Sequence, residues 1–185
     1  MGVLMSFVAS FAHWLEQRDW AMDFAGSAYF YPIVLATHLT CIAIFGGMIL
    51  ITNLRLLGWV LRSQSVSDVV GRLRPWKWGG LVLMVTCGAL LAGSEAGKYY
   101  GNPYFWTKMT LLALLIVHSL AFRRSVYRNT TELDRAEVMP GRAKLAAALS
   151  LILWLGVVTA GRMIGYYEGP VPLADSITPA GAPAR

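Results

Sequence analysis

Two histidines are the side chains best placed for chemistry in this 185-residue chain: His38, in Thr37-His38-Leu39-Thr40-Cys41, and His118, near the end of a later apolar run. Two imidazoles on separate helices are the simplest way to hold a haem edge-on, one on each face of the iron. Imidazole ligates in its neutral form, which a low-dielectric surrounding favours. His38 and His118 are therefore the candidate cofactor-binding and metal-ligating residues, with haem b as the cofactor. Arg162, in Ala160-Gly161-Arg162-Met163, is the third candidate, because guanidinium suits a propionate in a bidentate fork.

Each of these residues also has a plainer reading. A histidine in a bundle can hydrogen-bond a hydroxyl or carbonyl of the next helix, and Thr37, Thr40, Thr86 and Ser119 are at hand. Arg162 can snorkel to the headgroups or pair with an acid, for which Glu95 is the obvious partner. Copper is the alternative metal, since thiol and thioether suit Cu(I) and Cys41 lies one turn inward of His38. Met48, Met84, Met109 and Met163 are scattered without a Met-x-x-Met pattern and read as apolar filler. Gly46-Gly47, Gly79-Gly80, Gly88 and Gly93 read as close helix contacts. No nucleophile with a base and no carboxylate cluster stands at membrane depth, so an independent catalytic role has no motif behind it.

The elements that must position these residues follow from composition. The chain is 56% apolar and 14% charged, with a mean hydropathy of +0.53, whereas soluble domains are nearer 45–50% apolar and about 25% charged. The net charge of +6 is no nucleic-acid signature, because the basic residues sit between apolar runs. Runs at about 32–54, 76–93, 104–122 and 145–165 are long enough to cross a hydrocarbon core of roughly 30 Å at about 1.5 Å per residue. Backbone polar groups at that depth must be bonded within their own segment, so the runs are helices. Pro75 and Pro103 lie just ahead of two of them, where a proline loses no helical bond.

The reading is an all-α integral membrane four-helix bundle over 29–166, with an irregular tail over 167–185. Residues 1–28 form an amphipathic helix and linker: Leu4, Phe7, Val8, Phe11 and Leu15 share one face, and Ser6, Ser10, His13 and Gln17 the other. Cleavage after Ala25 or Ala28 is the alternative for this segment. Eleven of the sixteen Lys and Arg residues fall within 55–78 and 123–144. Those connections are expected in the cytoplasm of a bacterium, with both termini periplasmic. Tyr29, Tyr31, Tyr99, Tyr100, Tyr104, Trp106, Tyr166 and Tyr167 mark the outer interface, and Trp59, Trp76 and Trp78 the inner one. Arg72, Arg74 and Lys77 with the two neighbouring tryptophans read as a membrane-surface anchor for anionic lipid.

Depth tests the shared iron. From the outer boundary His38 is six residues past Pro32 and His118 ten past Lys108, a mismatch of about 6 Å that tilt absorbs. From the inner boundary the mismatch is about 18 Å.

Three stretches carry a family resemblance: Ala36-Thr37-His38-Leu39 running into Leu54-Arg55-Leu56-Leu57-Gly58, Asn102-Pro103-Tyr104-Phe105-Trp106-Thr107-Lys108-Met109, and Ser150, Trp154 and Gly156 leading to Ala160-Gly161-Arg162. In these the chain resembles a family of small bacterial four-helix inner-membrane proteins classed as a domain of unknown function. More distantly it is similar to the copper-resistance D-type membrane proteins and to four-helix b-type cytochromes. That similarity implies a haem or metal site near the outer face at His38. The expected function is a small b-type cytochrome-like subunit passing electrons to an outer-face redox protein or quinone. A non-catalytic anchor subunit of a larger homo- or hetero-oligomer and a copper-handling permease component are the alternatives.

Overall fold

The computed structural model describes residues 2–122, 126, 130–135 and 139–167, apart from the side chains of 2–6, 131, 132 and 135. Arg123, Arg124, Arg128, the side chain of Arg135 and the tail from Glu168 lie outside the described residues. The chain is all-α: α1 (Gly2–Glu16), α2 (Asp19–Ala25), α3 (Phe30–Leu57), α4 (Val66–Ser94), α5 (Ala96–Tyr100), α6 (Pro103–Ala121), α7 (Thr130–Arg135) and α8 (Gly141–Ile164). Four of these, α3, α4, α6 and α8, are long and apolar enough to cross a bilayer. The protein is a multi-pass membrane protein whose four long helices pack as a bundle.

The helix ends follow from local chemistry. Asn102 accepts from the Tyr104 N–H at 3.0 Å and Pro103 fills the first helical position of α6. Gly58 ends α3 in the left-handed region, φ 78°, which costs glycine nothing, and the Trp59 N–H returns to the Leu54 carbonyl.

The second long helix differs from the sequence expectation. It begins at Val66, ten residues before Trp76, and carries Pro75 in its interior. A proline there removes the bond to the Gly71 carbonyl. The extension is held anyway, because its start is doubly capped and its apolar stripe is buried. Ser65 Oγ accepts from the Asp68 N–H, and the Asp134 carboxylate of α7 accepts from the Val66 and Ser67 N–H groups. Val66 and Val70 join Leu56, Val126, Leu133, Ala143, Ala146 and Ala147 in a core at the arginine-rich end.

The long helices neighbour one another in the order α4, α3, α8, α6, and α4 does not pack along α6. Periodicity could not give this order, since lipid-facing and core-facing positions are both apolar.

At the tyrosine-rich end α1 rides on α5 and α4. Ala12 is buried, Glu16 accepts from the Gly97 N–H at 3.2 Å, and Phe7, Phe11 and Trp14 are exposed. Gly46 and Gly88 meet side chains of neighbouring helices at close range, Gly80 makes ordinary contact with Phe45 and Met48, and Gly93 backs onto Trp20 of α2. Gly47 and Gly79 face open space and make no close contact, contrary to the sequence reading.

Candidate functional site

His38 sits eight residues into α3, about 12 Å below its tyrosine-rich end. Its Nδ1 is 2.9 Å from the Met84 carbonyl oxygen of α4. A carbonyl only accepts, so Nδ1 carries the proton and the lone pair of the neutral ring is on Nε2. The ring lies against Gly88, one turn further along α4, where an added Cβ would come within 2.9 Å of Cε1. The α3–α4 seam is therefore cut to fit this imidazole.

His118 occupies a different seam and the opposite half of the bundle. It is buried between α6 and α8, and its Nε2 donates to the Ala146 carbonyl at 3.0 Å. Phe122 packs beside it, ring centroids 5.0 Å apart. The structure does not bring His38 and His118 together: α3 and α6 do not pack on each other, and each ring is bonded to its own neighbour. The residues present do not fit a haem held between these two imidazoles. Of the partners the sequence offered, the carbonyls are taken. Thr37, Thr40 and Thr86 bond back to the carbonyls of Ile33, Ala36 and Val82 in their own helices.

Arg162 is exposed, with its guanidinium over the Tyr166 ring at 4.7 Å and Nη2 donating to the Tyr166 hydroxyl at 2.6 Å. Glu95 is not its partner. Glu95 accepts from the Tyr31 hydroxyl at 2.7 Å and pairs with Lys98 at 3.1 Å, within easy reach on α3 and α5. Burial, followed by the charge of Glu95, raises the Tyr99 phenol above its ordinary value. Cys41 and Cys87 are both buried free thiols, and among the described residues no group of three or more His, Cys, Asp or Glu side chains gathers to hold a metal.

Sequence reasoning missed the polar belt at the arginine-rich half. Asn53 is only 3% exposed; its amide donates to the Ile49 carbonyl at 3.0 Å and to Ser150 Oγ of α8 at 3.1 Å, while its Oδ1 has no hydrogen-bond partner among the described residues. Lys77 does not face the headgroups beside Trp76 and Trp78. It turns inward and donates to Thr52 Oγ1 at 2.6 Å. Together with His118, these residues tie α6 to α8, α8 to α3 and α3 to α4. The signal available was Asn53 and Thr52 themselves, two polar residues in the last turns of an apolar run.

A groove of about 510 Å³ lies on the other face of the α6–α8 pair, lined by Tyr104, Leu111, Ile152, Gly156, Ala160 and Met163 among others. It is apolar and contains neither histidine. No curated protein and no solved structure matches the chain. A family model described as "Family of unknown function (DUF6644)" matches residues 21–167.

Proposed function

We propose, from the premise that the chain belongs to the DUF6644 family, that it is a non-catalytic integral-membrane subunit whose helices dock and stabilise a larger complex. One observation carries this reading. The two histidines that look chemical in the sequence are spent on bonds between neighbouring helices, His118 on Ala146 and His38 on Met84. Such bonds contribute about 0.6 kcal/mol each in a bilayer protein and fix which helices are neighbours. Exposed apolar residues along the long helices, Val82 and Val85 of α4 and Ile116 and Val117 of α6 among them, leave flanks for a partner.

The positive-inside pattern supports a bacterial cytoplasmic membrane with both termini periplasmic. In that orientation α1 lies at the outer leaflet, its exposed Phe7, Phe11 and Trp14 in the interface. The test is thermal unfolding in detergent, joined to cross-linking in native membranes. His38→Ala is expected to lower the unfolding temperature, His38→Asn, whose amide can still donate to the Met84 carbonyl, to restore most of it, and the chain to cross-link at a mass above its own. An unchanged unfolding temperature in His38→Ala, or a monomer throughout, contradicts the reading.

A second reading keeps an electron-transfer role, with haem b held by His38 alone among the histidines. It is favoured by the Nε2 lone pair, which the Met84 carbonyl leaves outward in the manner of a ligating histidine. Haem would supply a one-electron couple there, and an outer-face redox protein would be its partner. Copper at the same imidazole belongs to this reading as the alternative metal.

A further inference from the structure

The two thiols are reactive groups that neither reading above uses. Cys41 of α3 and Cys87 of α4 are 8% and 5% exposed, and they are the only cysteines in the sequence. They share a seam whose register is fixed by contacts on both sides of them. Towards the tyrosine-rich end the His38 ring bonds the Met84 carbonyl and backs onto Gly88. Towards the arginine-rich end Gly80 faces α3, where an added Cβ would lie 3.8 Å from Phe45 and 3.9 Å from Met48, and Lys77 reaches Thr52 at 2.6 Å. The seam of α3 is thus built from His38, Phe45, Met48 and Thr52, and that of α4 from Lys77, Gly80, Met84 and Gly88. Cys41 continues the first series, three residues past His38 and four before Phe45. Cys87 continues the second, three past Met84 and four before buried Leu91.

The two helices run in opposite directions, and this brings the sulfurs towards one level. His38 stands opposite the turn between Met84 and Gly88, so Cys41, one turn further on, falls opposite Met84. Cys87 is then about 4.5 Å nearer the tyrosine-rich end. Each Cα–Cβ bond of a helix tilts towards that helix's own N-terminus. For Cys41 this is the tyrosine-rich end and for Cys87 the arginine-rich end, so the side chains lean towards each other and the offset closes. A disulfide holds its Cα atoms about 4.4–6.8 Å apart, and Gly80 and Gly88 keep this face of α4 free of the bulk that would hold the backbones further off. The thiols are near enough for the charge of one to bear on the other.

We infer that Cys41 and Cys87 are a redox pair, a dithiol that a lipid hydroperoxide converts to a disulfide locking α3 to α4 inside the membrane. Cys41 lies about 16.5 Å below the start of α3. A protein oxidant must bring its own sulfur into contact with the thiol, and no protein reaches that depth in a packed seam. A hydroperoxide is small at its reacting end, neutral and lipid-soluble. One sulfur attacks it: an S–O bond forms, the O–O bond breaks, and the thiol proton goes to the departing alkoxide, giving an alcohol and a sulfenic acid. The second thiol then displaces the sulfenic hydroxyl, so that S–S forms, S–O breaks and water leaves. The two thiols have lost two electrons and the hydroperoxide has gained them. The pair depends on neither the subunit reading nor the haem reading.

The test exposes the full chain, reduced with dithiothreitol and held in phosphatidylcholine nanodiscs, to cumene hydroperoxide, then denatures it in N-ethylmaleimide and measures the intact mass. Before oxidation it is expected to take up two maleimides, one for each cysteine. After oxidation it should take up none, lose two hydrogens and yield a linked peptide pair containing both cysteines; dithiothreitol should restore both labels. Dimedone should trap a sulfenic acid in at least one of Cys41→Ser and Cys87→Ser, and the unaltered protein, whose second thiol resolves that species, should lose the label. Should the variants fold poorly, the linked peptide of the unaltered protein decides. Both maleimides retained after oxidation, a bond between two chains, sulfinic acid formed with no linked peptide, or equal dimedone labelling with and without the second thiol overturns the pair.

Discussion

The imidazole of His38 packs against Gly88 so closely that a methyl group at position 88 would stand 2.9 Å from Cε1. Histidine and glycine, on different helices and fifty residues apart, form one packing unit, with the Met84 carbonyl one turn away fixing the ring's tautomer.

Gly88→Ala is accordingly expected to destabilise the protein by about 1–3 kcal/mol, the usual cost of forcing an extra methyl into a filled space. Gly47→Ala, in open space on α3, is the internal control and is expected to be neutral or to gain up to about 1 kcal/mol of helix propensity. Chemical unfolding in detergent separates them; equal effects at the two positions would contradict the seam.

Asn53 and Ser150 are expected to couple. A double-mutant cycle with Asn53→Ala and Ser150→Ala, read by unfolding free energy, should give an interaction of about 0.6 kcal/mol, the average for such pairs in a membrane protein. Strict additivity would mean that α3 and α8 are not tied at this level.

Asp134 makes stability depend on acid. Burial raises its carboxyl, but the Ser67 hydroxyl, the Val66 and Ser67 N–H groups and the charge of Arg55 outweigh that and hold it below its ordinary value of 3.8. The folded state thus favours the ionised form. The contribution is complete above the ordinary carboxylate range and is lost as pH falls through it towards the lower folded value. Asp134→Asn is expected to be less stable near neutrality and to show a flatter acid limb. Parallel pH profiles for the two proteins would show that α7 does not cap α4.

Much of the architecture is legible in the residues. Asn102-Pro103 announces the start of α6, and the four apolar runs announce the spans. Pro75 misled because proline usually opens a helix, while the residues ahead of it, Arg72 and Arg74, lower the hydropathy that marks a span. Only the Asp134 cap and the core around Val66 explain why the helix continues through it. The site is less legible still. His38 was visible as a residue, but its partner depends on helix order: sequence spacing pairs it with His118, whereas the fold sets it on the Met84 carbonyl of α4. Gly88 reads as a small-residue contact, without sign of the imidazole it accommodates.

The central claim is that the two histidines hold helices rather than one iron. An absorption spectrum of the detergent-purified chain, expressed with ample haem, tests it most directly. The account expects no Soret band, in the unaltered protein or in His38→Ala. A stoichiometric Soret band that vanishes in both His38→Ala and His118→Ala would contradict it.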